Sequence, residues 1–447
     1  MSESAKAPKV RPVDDEEELE SVSRAASFSG DSREYTLADF YELPDKDVFA
    51  KTRPFAAFVA DAHHRKHYLY RRTLLGPCEN RTLVLDPFTG QERSMIMMAS
   101  NNYLGLTTHP KVVEAGRRAN DEFGAGSGGV PLLAGTYKLH RELERKLAEL
   151  KGCEDAVVFS SGYSSNVGTI SALLRKNDAA INDKLNHASL IDGCRFTGAT
   201  LRAFKHNDMK SLERILRESD KEYDGKLVIV DGVFSMDGDI ANLPEIVPLA
   251  RRYNARVMID EAHATGVIGD HGRGTPEHHH MEGQIDIVAG TLSKALGGVG
   301  GFIASSADVC NYIRTYARSY MFSTSLPPAV TASLIASVEV IQTQPEIRQR
   351  LWENIRYMHT SLRTLGFDIG PTQTAIVPIL VGDDLKLREM SREIHEAGIF
   401  LNPVYFPAVP KRLSRLRLSL MATHTREDLD TTLNVLETVG RKYNVIH

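Results

Sequence analysis

Cysteine is scarce in this chain. Its four residues (Cys78, Cys153, Cys194 and Cys310) are too widely spaced to form a CxxC pair. That pattern excludes a zinc ribbon, argues against a disulfide framework and fits a reducing compartment such as the cytoplasm. No apolar run approaches the roughly 20 residues that a membrane-spanning helix needs. The opening residues, with DDEEELE from Asp14, lack the basic-then-apolar order of a signal peptide. Basic excess is absent too: the formal net charge of −4 gives no global field for nucleic acid. There is no internal repeat.

What is present suits a large enzyme. A length of 447 residues with 42% apolar content fits one large α/β body plus a smaller domain rather than one small core. Residues 1–35 are acidic and Ser-rich and read as a disordered, solvating tail. Residues 36–94 read as a helical segment, because PFAAFVADAHHRKHYLYRR gathers apolar residues on one side and bases on the other. Such a face packs on its own protein or a second subunit, with peripheral contact to a membrane as the alternative. Over residues 95–335, short apolar runs alternate with helical patterns: Ala156–Phe159, Leu227–Val230, Arg256–Ile259, Ile285–Ala289 and Phe302–Ala304. Near-continuous β-branched runs separated by helices predict a mostly parallel sheet covered on both faces, with chemistry at the carboxyl ends of its strands. Residues 336–447, with strand-like Ala375–Leu380 and Leu416–Leu420, read as a smaller α/β domain.

The chemistry-bearing motifs fall at those strand ends. GTLSKALGGVGG from Gly290 places Lys294 in a small-residue turn with Thr291 and Ser293 nearby. Burial or a neighbouring cation makes such an amine a nucleophile toward carbonyls, although a solvated lysine in a flexible loop would look the same. VMIDEAHATG ends a strand on Asp260, with His263 three residues on. An electron-sink ring needs an acid beside its nitrogen, whereas a lone strand-end Asp is often a helix cap. FSSGYSSNVG passes from strand to helix through Ser161, Gly162 and Tyr163, offering free N–H groups to a phosphate or simply a capped helix. His187, in NHASLIDG, follows another strand and could lie flat over a ring or serve packing. Two further motifs carry little. GAGSGG from Gly124 follows a helical stretch, not a strand, so a dinucleotide site is not expected. EHHHMEG at Glu277 cannot turn adjacent histidines onto one ion, so no metal is expected.

Taken in order, Ser161-Gly162-Tyr163, His187, DGVFSMDGD from Asp231, DEAHATG from Asp260, GTLSKALGG from Gly290 and FSTSLPP from Phe322 resemble the α-oxoamine synthases. These are fold-type I pyridoxal 5'-phosphate (PLP) enzymes, and the resemblance covers roughly residues 95–440. It implies an aspartate-aminotransferase-like α/β fold and decarboxylative condensation of an amino acid with an acyl thioester. The thioester would be carried by CoA or an acyl carrier protein, and the enzyme would be a homodimer with shared active sites. By the same resemblance, Lys294 forms the Schiff base and shuttles the Cα proton, and Asp260 pairs the ring nitrogen. His263 meets the phenolic oxygen and His187 stacks on the ring. Thr291, Ser293, Ser161, Gly162 and Tyr163 grip the phosphate, while Ser323 and Thr324 reach the phosphate in the other subunit. Arg417 and Asn102 bind the substrate, Arg417 through its carboxylate.

FPAVPKRLSRLRLSLMATHTREDLD from Phe406, DGCR at Asp192, the closing VGRKYNVI and the extended N-terminal segment are similar to the serine palmitoyltransferase branch. That implies L-serine, a palmitoyl-CoA-like partner, a 3-ketosphinganine product and a place at the start of sphingolipid synthesis. The other branches, such as the 8-amino-7-oxononanoate synthases and 2-amino-3-ketobutyrate ligases, stay open. One departure bears on the acyl partner: Pro131 stands in GGVPLLAGTYKLH where many relatives carry an arginine near the substrate mouth.

Overall fold

The computed structural model describes residues 28–41 and 47–447. Most of the expected acidic tail lies outside those residues, but its last part does not behave as a tail. Residues 32–34 form a turn of 3-10 helix, and Tyr35, Phe40 and Phe58 bury together with Phe28 beside them. Buried Arg388 ties the turn down, donating to the carbonyls of Ser32 and Tyr35 at 2.8 Å each. The aromatic cluster and this arginine supply the burial that an acidic, Ser-rich composition does not suggest.

The expected helical segment is also narrower than its pattern. Helix Thr52–His64 buries Phe58 and Ala62 against the protein itself. Beyond it the chain turns to strands β1 (Thr73–Leu74), β2 (Arg81–Leu85) and β3 (Glu92–Met97). In β2 burial alternates residue by residue, the period of a half-buried strand, which a helical reading of the segment overlooks. Among the described residues no helix is long and apolar enough to cross a membrane.

The large sheet contains β4 (Asp155–Phe159), β5 (Ala179–Asp183), β6 (Thr200–Phe204), β7 (Lys226–Asp231), β8 (Arg256–Asp260), β9 (Ile287–Thr291) and β10 (Gly301–Ser305), in the order β4-β10-β9-β8-β7-β5-β6. Only β10 runs against its neighbours. Alternate residues serve opposite layers: Val228, Val230, Val257 and Ile259 enter one apolar cluster, while Leu227, Ile229 and Met258 enter the other. Burial on both faces is why these runs read as continuously apolar. Six strands therefore end on the same edge, and the motifs follow those ends.

The smaller sheet is β11 (Ile376–Leu380), β13 (Asn402–Val404) and β14 (Arg415–Ser419), antiparallel with β14 in the middle. Strand β12 (Ile399–Phe400) instead pairs in parallel with β3. The N-terminal strands are thus completed by a strand from the far end of the chain.

Candidate active site

Lys294 lies just past β9, half-buried, with its Nζ 2.8 Å from His263 Nε2. Burial lowers the lysine to about 8; Arg417 pushes the same way, while Asp260 and Asp231 resist. His263 is held well below its ordinary value, first by burial and then by the cations Lys294 and Arg417 and by His187. Its Nδ1 is 2.7 Å from the Tyr103 hydroxyl. Asp260 ends β8, where its Oδ2 accepts from Asn166 Nδ2 at 2.7 Å and its Oδ1 from the Ala262 N–H at 2.9 Å.

Asp231 ends the neighbouring strand directly opposite Asp260. Burial, then the charge of Asp260, raises its pKa well above the ordinary value. Its Oδ2 accepts the His187 N–H at 3.1 Å, whereas its buried Oδ1 has no partner in the protein. The His187 side chain belongs to a chain of bonds from Asp260: Asn166 Nδ2 also donates to Ser189 Oγ at 2.9 Å, and Ser189 Oγ lies 2.8 Å from His187 Nδ1. The Ser189 N–H points at the same Nδ1. With donors on Nδ1, neutral His187 carries its hydrogen on Nε2, and burial lowers its pKa.

The start of helix Gly162–Leu173 packs against the end of β9. Ser161 caps it by accepting from the Ser164 N–H, and a Cβ on Gly162 would sit 3.0 Å from Thr291. Glycine lets the helix start approach Thr291 closely, and the Thr291 hydroxyl lies 2.8 Å from that of Ser293. Tyr163 is exposed and donates to Asp192. Ser323 and Thr324 line a different cleft, with Pro131, Thr136, His140 and Ser160.

Arg417 comes from the middle strand of the small sheet. Its Nε donates to the Ser235 carbonyl at 2.7 Å, and its Nη1 reaches Ser419 Oγ at 3.1 Å and Asn101 Oδ1 at 3.4 Å. Asn102 does not join it. The Asn102 amide donates to the Cys78 carbonyl and to Thr107 Oγ1, which locks its own loop. The asparagine beside Arg417 is Asn101, not the Asn102 that the resemblance pointed to. Sequence reading assigned no role to Asn101, Tyr103, Asn166, Ser189, Asp231 or Ser235. Asn166 had a signal, since it lies one turn along the helix from Gly162 and so on the same face.

The arrangement fits PLP. It offers a depressed amine, an acid at a strand end, a helix start beside two hydroxyls, and buried oxygens of Asp231 and Asn166 that no protein group satisfies. A ring-bearing ligand among them would meet polar atoms that otherwise carry a desolvation penalty.

Residues 93–436 match the family model of aminotransferase class I and II. The chain is 45% identical over 407 residues to the 4-hydroxy-2,2'-bipyrrole-5-methanol synthase PigH of Serratia sp. (strain ATCC 39006), covering 91% of this chain but only 62% of PigH. It is 45% identical over 354 residues to the 8-amino-7-oxononanoate synthase of Thermoanaerobacter pseudethanolicus, covering 79% of this chain and 90% of that one. Among solved structures it resembles serine palmitoyltransferase from S. paucimobilis, bound to a PLP–myriocin aldimine. That match has a TM-score of 0.85 and 35% identity, and it covers 90% of this chain and all of that one. The chain belongs to the aminotransferase class I and II family and, within it, to the α-oxoamine synthases, with pyridoxal 5'-phosphate as cofactor.

Proposed function

We propose that the chain condenses L-serine with a long-chain acyl thioester, releasing carbon dioxide and leaving an amino ketone of the 3-ketosphinganine type. The observation that carries this is the convergence on one site of the depressed Lys294 amine and the Arg417 guanidinium, joined through His263, Tyr103 and Asn101. When bound, PLP supplies a ring that absorbs the charge left on Cα when its proton departs. Lys294, near 8, takes that proton close to neutral pH and returns it to the product;. Arg417, with Nε fixed on Ser235, turns its remaining edge to the substrate carboxylate;. Asp260, held by Asn166, would pair the ring nitrogen. His187, its Nδ1 fixed by Ser189, would stack on the ring. Ser323 and Thr324 serve the second subunit of a homodimer.

Serine is supported from two sides. The matched solved structure is a serine palmitoyltransferase, and the hydroxymethyl group in PigH's product name is what a serine side chain would leave on an amino ketone. PigH also favours a second reading for the acyl partner. Its match spans more of this chain than that of the 8-amino-7-oxononanoate synthase, and its product carries a pyrrole rather than a long alkyl chain. A ring-bearing acyl group delivered by a carrier protein is that reading.

The test supplies carboxyl-labelled serine, alanine and glycine with palmitoyl-CoA, a short acyl-CoA and acyl-loaded carrier protein. Released carbon dioxide and product mass are measured. Serine with palmitoyl-CoA is expected to give both. Turnover of alanine but not serine would overturn the amino-acid assignment, and a keto acid without carbon dioxide would make the protein an aminotransferase. If borohydride fixes no cofactor to Lys294, the whole reading falls.

A further inference from the structure

Tyr103 is almost completely buried, at 1% exposure, and its hydroxyl has two partners: His263 Nδ1 at 2.7 Å and Asn101 Oδ1 at 3.2 Å. Asn101 Oδ1 also receives Ser419 Oγ at 3.2 Å and Arg417 Nη1 at 3.4 Å. Three donors on one atom fix the amide orientation, so Asn101 accepts from Tyr103. Burial pushes the Tyr103 phenol up to about 12, against Arg417, so the hydroxyl keeps its single hydrogen.

That hydrogen serves one partner at a time. When Lys294 is an ammonium, it donates to His263 Nε2, which must then be bare. The His263 hydrogen sits on Nδ1 and is donated to Tyr103, whose own hydrogen goes to Asn101. Once PLP is joined to Lys294, the assigned role of His263 toward the phenolic oxygen requires a hydrogen on Nε2, so Nδ1 is bare and needs a donor. The Tyr103 hydroxyl is the group in reach that can reverse its role. In the net change the joining of PLP to Lys294 would release the aldehyde oxygen as water with two of the three ammonium hydrogens, Nε2 would gain the third, and the Nδ1 proton would leave to solvent.

We propose that Tyr103 is a positioning residue that lets His263 exchange tautomers as the cofactor loads, by turning its hydroxyl hydrogen from Asn101 to His263. The exchange also ties the cofactor side to the substrate side. When Tyr103 withdraws its hydrogen, Asn101 Oδ1 is left to Arg417 and Ser419, and this firms the carboxylate-binding arm in the loaded state. The inference rests on the assignment of Lys294 and His263 to PLP.

The test is nitrogen-15 NMR of histidine-labelled protein, with and without PLP, the His263 signal being assigned with His263→Gln. The wild type is expected to carry its hydrogen on Nδ1 without PLP and on Nε2 with it. Tyr103→Phe keeps the ring but removes the hydroxyl. Because Lys294 still holds Nε2 bare without PLP, the variant should keep the Nδ1–H form there and fail to exchange fully with PLP, bind PLP with an altered pH profile and lower kcat about tenfold, the worth of one buried hydrogen bond;. Asn101→Leu removes the hydrogen's other acceptor and turns it on Nδ1, so without PLP it should raise the Nε2–H share at the expense of protonated Lys294, which gives a second route should Tyr103→Phe not fold. The same tautomer in both wild-type states, or an unchanged exchange in either variant, overturns the proposal. Failure of borohydride to fix PLP to Lys294 in the wild type overturns the cofactor assignment beneath it instead.

Discussion

Two histidines stand at the same edge of the same sheet and are driven in opposite directions. His263, beyond β8, is held far below its ordinary pKa because burial is reinforced by Lys294, Arg417 and His187. His206, beyond β6, is also pushed down by burial. It nevertheless rises to about 10, because Asp183 at 3.0 Å and Asp239 at 2.9 Å grip its two ring nitrogens. The His206 ring is fully paired: each nitrogen has a carboxylate, and Asn207 Nδ2 adds a bond to Asp239 at 2.9 Å, which leaves Asp239 Oδ1 as the one buried oxygen there without a partner among the described residues. The β7–β9 cluster is open, with unpartnered oxygens on Asp231 and Asn166. His206 is the less buried of the two, but the neighbours set the direction, so one cluster is set to hold the structure and the other to meet a ligand;.

The largest effect that sharpens this contrast is expected from Asp260→Asn. Losing a preorganised charge in the open cluster should lower kcat on the order of 10²–10³-fold while leaving the unfolding midpoint near wild type. A large loss of stability with little loss of rate would show that the open cluster is structural after all. His206→Gln should do the reverse. The folded pKa of His206 is raised, so its contribution is fully present below the unfolded value near 6.5 and disappears as pH rises through about 10;. The destabilisation should be on the order of 3 kcal/mol at neutral pH and shrink toward nothing above pH 10. Denaturant titrations of both proteins at pH 6.5 and 10.5 measure it, and a difference independent of pH would break the assignment of charge to His206.

Legibility in the sequence followed the same division. The runs at β4, β7, β8 and β9 are buried on both faces, so apolar continuity revealed them, and the motifs at their ends led to Ser161, Asp260, His263 and Lys294, while His187 follows β5. Strand β6, TLRAF, lies at the sheet edge with little burial and left no such trace. The strands from Thr73 to Met97 were hidden because their sheet is completed through β3 by residues some 300 positions away. Within the site, Tyr103 and Asn166 are brought to His263 and Asp260 from 160 and 94 positions away. A hydroxyl or an amide gives no local sign of such a partner. The choice between Asn101 and Asn102 is of another kind: in SNNYLGL the two look alike, and only the turn decides which amide faces Arg417 and which locks the loop.

The smallest effect is expected from Asp231→Asn, and it bears most directly on how the open cluster tolerates two acids side by side. Asp231 and Asp260 are strand-end neighbours, and both cannot carry charge cheaply in a buried site;. Asp231 is the one whose pKa is raised, so the folded protein favours its protonated form. For an acid raised on folding, stability falls as pH climbs from the unfolded value toward the folded one. Asparagine removes that loss while keeping an oxygen for the His187 N–H, now at 3.1 Å. The variant should therefore match wild type in stability near pH 4, equal or exceed it at pH 8, and lose less than tenfold in kcat/KM, the scale of one altered hydrogen bond. Denaturant midpoints and kinetics at the two pH values measure both parts. If the loss equals that of Asp260→Asn, Asp231 works as a charge, and the open cluster holds two charged acids rather than one.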